Sequence, residues 1–94
     1  MAKAIISELK PTNGRKSFGH KAKLIYNPDN MAHYLRSYDT TVAGYVKGKI
    51  HRYSDYRSAT TWNHLLAFFE CFGVKMKTAD FYALKVETAP ALAI

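Results

Sequence analysis

The chain has 94 residues, a formal net charge of +7 and 48% hydrophobic residues, among them seven tyrosines, five phenylalanines and one tryptophan. That length suits one domain, and so apolar and aromatic a composition excludes a disordered chain. The single cysteine, Cys71, excludes an internal disulfide framework and favours a reducing, cytoplasmic setting. We expect no membrane association, because the sequence shows no signal-peptide pattern and no apolar run long enough to span a bilayer.

The first third of the chain predicts one weak and one clear β-strand. Residues 2–10 alternate weakly between apolar and polar side chains, which indicates an edge strand or an ordered arm. Residues 17–26 alternate well, and Lys21 and Lys23 lie on the side away from the apolar residues. The turn-forming residues 27–30 then end this half-buried strand.

A β-hairpin is predicted around the pair Lys47-Gly48. Residues 33–46 are rich in Tyr, Thr and Val and predict one strand, and residues 49–56 predict the return strand. A two-residue turn at this pair puts Ala43 opposite Arg52.

The two faces of this hairpin both carry apolar residues. We expect the richer face to meet the core, although a β-bulge would re-aim part of the hairpin. The core candidates are Tyr38, Thr40, Val42, Val46 and Tyr53, and the opposite face carries Tyr45 and Ile50.

The clearest helix of the sequence covers residues 60–72. The stretch Ser58-Ala59-Thr60-Thr61 precedes it, and Ser and Thr are good N-caps, because a hydroxyl oxygen accepts a backbone N–H of the first turn. Gly73 is the expected C-terminal stop. A further helical turn is expected from residue 78 to about residue 84. Spacings of three and four predict a buried stripe made of Trp62, Leu65, Leu66, Phe69 and Phe72.

These elements predict an α+β fold. The helix has only the sheet to pack on, so we expect a three-stranded antiparallel sheet with the main helix across one face. The sheet has four strands if residues 2–10 join it. The chain is expected to form a single domain with an ordered core over about residues 15–84, and residues 87–94 are expected to fray. The sheet face away from the helix should carry Lys21, Lys23, Arg36 and Arg52.

Residue types that commonly perform catalysis form no recognisable pattern. The histidines at positions 20, 33, 51 and 64 lack the local spacing of a zinc site. Cys71 lies near the end of the predicted helix, where the helix dipole disfavours a thiolate. The acidic residues are scattered, and no glycine-rich phosphate loop appears. We therefore expect no metal, no cofactor and no enzymatic activity.

The excess positive charge is concentrated in one part of the chain. Residues 1–57 hold 11 of the 14 Lys and Arg and four of the seven acidic residues, so the entire excess lies there. This indicates either a basic face for a polyanionic partner or a charge that only keeps the domain soluble. We favour DNA or RNA, held through its phosphates by a basic sheet face and hairpin tip, with one tyrosine stacking on a base. The candidates are Arg15, Lys16, Lys21, Lys23, Lys47, Lys49 and Arg52, with Tyr45 as the stacking ring.

One flank of the predicted helix gives a second candidate surface. Thr61, His64, Phe68 and Cys71 recur there at spacings of three and four. In one interpretation, His64 and Phe68 contact an acidic host protein, as expected of an inhibitor or adaptor. In the other, Phe68 widens the buried face and His64 hydrogen-bonds to the sheet.

Three stretches within residues 17–69 carry a resemblance: Ser17-Phe18 with Lys21-Ala22, then Leu35-Arg36-Ser37-Tyr38-Asp39-Thr40-Thr41-Val42-Ala43, then Tyr56-Arg57-Ser58-Ala59-Thr60-Thr61 with His64 and Phe68. Together they are similar to a family of small uncharacterised proteins carried by bacteriophages and related mobile elements. One departure is His20, which follows Gly19 where we expect an aromatic residue and then glycine. The resemblance implies a phage-type origin and a common fold. It favours two roles, nucleic-acid handling and blockade of a host or defence protein.

Overall fold

The computed structural model describes residues 4–9, 21–55 and 58–89. These residues form an α+β fold in which one antiparallel sheet carries one main helix, as predicted. Each strand pairs with the next along the chain, so the sheet is a meander. The elements are β1 Ile5–Glu8, β2 Ala22–Asn27, β3 Ala32–Ser37, β4 Thr40–Val46, β5 Lys49–Arg52, α1 Ala59–Cys71 and α2 Thr78–Tyr82.

The described sheet has five strands, and the prediction of three or four was therefore too low. The N-terminal segment does supply the edge strand β1, and the predicted single strand 33–46 is in fact two strands. Tyr38 adopts a φ of 55° in a tight turn, across which Ser37 pairs with Thr40. A tyrosine at positive φ is uncommon, and the turn lacks the glycine that usually marks a hairpin.

The hairpin between β4 and β5 has the predicted register. Lys47 and Gly48 have φ angles of 52° and 78°, the pair of positive values that a type I′ turn requires. Val46 pairs with Lys49, and Ala43 pairs with Arg52.

The face of this hairpin that meets α1 is not the predicted one. β3 and β4 shift register after the pair Leu35–Ala43, and this bulge lets Val42 join the core under α1. Tyr38 and Thr40, two of the predicted core residues, are exposed. The hairpin residues packed under α1 are Val42, Ala43, Tyr45 and Ile50, whereas Val46 and Tyr53 pack on the opposite face.

Helix α1, Ala59–Cys71, lies within one residue of the predicted range 60–72 at each end. The side-chain oxygen of Ser58 accepts the backbone N–H of Thr61 at 3.0 Å. Gly73, with a φ of 65°, follows the last turn.

The buried stripe of α1 is rotated relative to the prediction. Leu65 and Phe69 are buried as expected, but Leu66 is 42% exposed. The helix instead buries Thr61, His64 and Phe68, and it leaves Trp62 and Phe72 half-buried. No helix in the described part of the chain is long and apolar enough to cross a membrane.

Candidate functional site

The lysines predicted to hold phosphates are exposed wherever the structure describes them. Lys21 lies directly before β2, Lys23 within it, and Lys47 and Lys49 at the β4–β5 hairpin. In residues 4–9, 21–55 and 58–89, none of these four lysines forms an ion pair with a carboxylate. Their charge is therefore available to an anionic partner. The other two predicted basic residues, Arg15 and Lys16, lie outside the described residues.

The lysines lie at two ends of the sheet face opposite α1, which we call the outer face. At one end Lys23 pairs with Glu8 of β1 and with Arg36 of β3. At the other end Lys49 pairs with Val46. The centre of the outer face is apolar and buried, and it consists of Ile25, Ala32 and Tyr34, with Val46 and Tyr53 packed against them.

Two tyrosines cover the backbone of Gly44 on the outer face. The ring centroids of Tyr34 and Tyr53 are 6.0 Å apart. A Cβ atom on Gly44 would lie 2.8 Å from the ring of Tyr53 and 3.0 Å from that of Tyr34, so only glycine fits beneath them. Burial, the neighbouring Tyr34 and the carboxylate of Glu87 together raise the pKa of Tyr53 to about 12. Tyr53 is therefore a neutral hydrogen-bonding group at ordinary pH.

The structure removes Arg52 from the predicted basic surface. Its side chain points to the α1 side of the sheet, and the residue is only 5% exposed. The guanidinium donates to the carbonyls of Ser54 at 3.0 Å, Tyr82 at 2.9 Å and Leu84 at 3.1 Å. It also lies 5.1 Å from the ring centroid of Tyr82. Arg52 thus fastens the segment after α2 to β5, and its charge is satisfied within the protein.

Tyr45 is likewise not a free stacking ring. It lies on the α1 side of the sheet and stacks on Phe72, with ring centroids 4.5 Å apart and planes 13° apart. Its cross-strand neighbour His33 lies between Tyr26 and Phe72, at centroid distances of 4.7 and 4.8 Å. Burial lowers the pKa of His33. These rings form one packed aromatic row, so the ring of Tyr45 already makes a stacking contact within the protein.

His64 and Phe68 do not form an exposed flank. Phe68 is fully buried and meets Phe72 edge-on at 5.1 Å. His64 is 1% exposed, and its Nδ1 lies 2.7 Å from the hydroxyl of Ser37. Ser37 also lies 3.5 Å from the hydroxyl of Thr61. The interpretation in which Phe68 widens the core and His64 bonds to the sheet therefore describes the structure.

The Ser37–His64 pair has the composition of a nucleophile and a base, but it is closed to substrates. Ser37 is only 2% exposed, so no carbonyl or phosphoryl group can approach its oxygen in this conformation. The two residues come from two of the stretches that carry the resemblance, and they join the end of β3 to the first half of α1. The pair can position the helix on the sheet.

In the described part of the chain, Cys71 and the acidic residues show neither an activated thiol nor a metal-ligand group. Cys71 is exposed, and partial burial of the thiol raises its pKa, which disfavours the thiolate. Over the described ranges no three His, Cys, Asp or Glu side chains are grouped as metal ligands.

The fold and surface define a small α+β protein: a meander sheet covered by a helix on one face, with basic groups at both ends of the other. The chain belongs to a family of unknown function, DUF8033, which it matches over residues 7–83. The matched range begins within β1 and runs through α2, so it includes strands β2 to β5 and both helices. No curated protein and no solved structure matches the chain significantly.

Proposed function

We propose that this protein binds nucleic acid, without enzymatic activity, through lysines at the two ends of the outer face. The observation that supports this is the exposure of Lys21, Lys23, Lys47 and Lys49, none of which forms an ion pair with a carboxylate among the described residues. Lysines that contact phosphates release condensed counterions. Binding should therefore weaken steeply with salt and depend little on base sequence.

The distribution of charge along the sequence adds to this proposal. The described residues contain nine Lys and Arg and seven Asp and Glu, a net charge of +2 out of the total of +7. The remaining +5 comes from segments that contain no acidic residue. Those residues are Lys3, Lys10, Arg15, Lys16 and Arg57. Five further basic residues of the sequence thus add to the positive charge that supports the proposal.

The binding mode differs from the sequence-based expectation in two respects. Arg52 does not take part, because its guanidinium already donates to three carbonyls. The proposal does not include base stacking by Tyr45, because one face of its ring already stacks on Phe72. Phosphate contacts by lysine then supply the affinity.

Three double charge reversals test the proposal. Lys21→Glu with Lys23→Glu changes one end of the outer face, and Lys47→Glu with Lys49→Glu changes the other. Lys75→Glu with Lys77→Glu is the matched control, because both lysines are exposed but lie beside α1. Each pair lowers the net charge by four, from +7 to +3.

Fluorescence anisotropy with labelled single- and double-stranded oligonucleotides at two salt concentrations is the measurement. Each outer-face pair should lower affinity by about tenfold or more, and the control pair should lower it much less. Absence of binding by the wild type at low salt would contradict the proposal and favour the alternative, a phage-type inhibitor or adaptor for an acidic host protein. Equal losses in all three variants would also contradict it, because they would show a response to net charge alone.

A further inference from the structure

We infer that two rings at the β5 edge of the outer face, those of His51 and Tyr53, stack on unpaired bases of a single-stranded nucleic acid. This inference rests on the proposed function and deepens it, because it names the class of nucleic acid. Side chains alternate between the two faces of a strand, so Lys49, His51 and Tyr53 share the outer face. The pairing with β4 extends to Tyr53, whose N–H donates to the carbonyl of Val42 at 3.0 Å. One of the lysines proposed to hold phosphates is thus followed along the same face by two rings.

The two rings are parallel and partly open to solvent. Their centroids are 6.3 Å apart, and their planes differ by only 7°. The side chain of His51 is 29% exposed, and Tyr53 is half-buried. Every base has a flat aromatic face, so stacking on such rings tolerates any base. The ring pair therefore suits a protein whose binding should depend little on base sequence.

Both rings are held in place by other parts of the protein. Nδ1 of His51 lies 2.7 Å from a carboxylate oxygen of Glu87, and the N–H of Glu87 donates to the carbonyl of Arg52 at 2.7 Å. Tyr53 lies over Gly44, where a Cβ atom would come within 2.8 Å of its ring. A ring that is already fixed loses little side-chain entropy when a ligand binds. The contacts of the ring pair therefore favour binding and not only folding.

The combination of cations and rings favours a single strand over a duplex. Lys47 and Lys49 are exposed at the hairpin tip, at the start of this row. A duplex keeps its bases stacked on each other, so it offers phosphates to the lysines but no free base face to the rings. A single strand offers both, and a charged groove with stacking rings is the usual way in which proteins bind it.

Fluorescence anisotropy with two labelled strands of equal length tests the inference. One strand is oligothymidylate, and the other carries abasic sites throughout, so both have the same phosphate charge. The wild type should bind oligothymidylate about tenfold or more tightly than the abasic strand. His51→Ala should reduce this preference about fivefold or more and leave affinity for the abasic strand unchanged. His51→Phe restores a ring without the imidazole and should retain most of the preference.

Two tyrosine variants complete the test. Tyr53→Leu should act like His51→Ala, and circular dichroism checks that it is folded. Tyr26→Leu is the matched control, because Tyr26 is also half-buried but lies beside His33 on the α1 side of the sheet. It should leave the preference unchanged.

The abasic strand separates failure of this inference from failure of the proposed function. Equal affinity of the wild type for the two strands would overturn the inference and leave the phosphate contacts of the proposed function intact. A preference that persists in both His51→Ala and Tyr53→Leu would also overturn it, because the bases would then stack elsewhere. A wild type that binds neither strand at low salt would overturn the proposed function together with the inference.

Discussion

One face of the sheet is covered by α1, and we call it the sealed side. The other, the outer face, has a buried centre that lies between two exposed, charged ends. On the sealed side, several buried polar groups have matched partners, such as Ser37 with His64 and Arg52 with three carbonyls. On the outer face, the charged side chains of Lys23 and Lys49 stay exposed at the ends. The comparison shows that a polar residue on a strand does not by itself mark the solvent side. What matters is whether a distant part of the chain supplies its partner.

Truncation of a buried side chain on the sealed side should have the largest effect on stability. Phe68→Ala removes a fully buried ring and should lower the free energy of unfolding by about 3–5 kcal/mol, enough to unfold a marginal domain. Leu66→Ala, two residues away and 42% exposed, should lower it by less than about 1 kcal/mol. Urea titration of both variants is the measurement. Similar losses of unfolding free energy in the two variants would mean that Phe68 does not belong to the buried stripe of α1.

The next effect concerns the buried charge. Arg52→Ala leaves the carbonyls of Tyr82 and Leu84 without their donor and should cost about 3 kcal/mol. Arg52→Lys keeps the charge but cannot reproduce the planar set of donors, so it should be intermediate. Urea titration measures the loss, and hydrogen exchange of residues 82–87 shows whether it is local. If Arg52→Ala instead left stability unchanged and weakened only nucleic-acid binding, Arg52 would belong to the basic surface and not to the sealed side.

A smaller loss is expected from the polar pair on the sealed side. Ser37→Ala removes the group 2.7 Å from Nδ1 of the buried His64 and should cost about 1–3 kcal/mol. Thr40→Ala, at the exposed other side of the same turn, should cost much less. Thermal unfolding of the two variants makes this test. An unaffected Ser37→Ala variant would show that the pair does not hold α1 on the sheet.

The smallest effect belongs to the outer face and appears only at high pH. The pKa of Tyr53 is raised from 10.0 to about 12, so the native state holds this proton more tightly than the unfolded state. The corresponding stabilisation is complete below pH 10 and is lost as the pH rises towards 12. Ultraviolet absorbance of tyrosinate should show a late component that Tyr53→Phe removes. If the wild type and Tyr53→Phe lost the same stability over this range, Tyr53 would not be as enclosed as the structure indicates.

Local signals in the sequence were enough to predict several elements. The Ser and Thr residues of 58–61 and the stop at Gly73 predicted α1, and the pair Lys47-Gly48 predicted the β4–β5 register. The turn at Tyr38 was missed because its residues are not those that normally favour positive φ.

The candidate site was harder to predict, because burial depends on distant partners. His64 bonds to a serine 27 residues away, and the carbonyls that hold Arg52 lie 30 and 32 residues further on. No periodicity within β5 or α1 indicates such partners. The exposed positions of Lys21, Lys23, Lys47 and Lys49 did follow from alternation and turn chemistry alone.

The meander order of the strands has a consequence for the folding pathway. Every strand pairs with its neighbour in sequence, so the sheet forms from local contacts, which favour fast folding. The contacts of Arg52 with Tyr82 and Leu84, by contrast, require a long loop to close. We expect the hairpins to form first and this C-terminal attachment last. Arg52→Ala should then accelerate unfolding while leaving the folding rate nearly unchanged. The guanidinium therefore acts chiefly by slowing the unfolding of the native state.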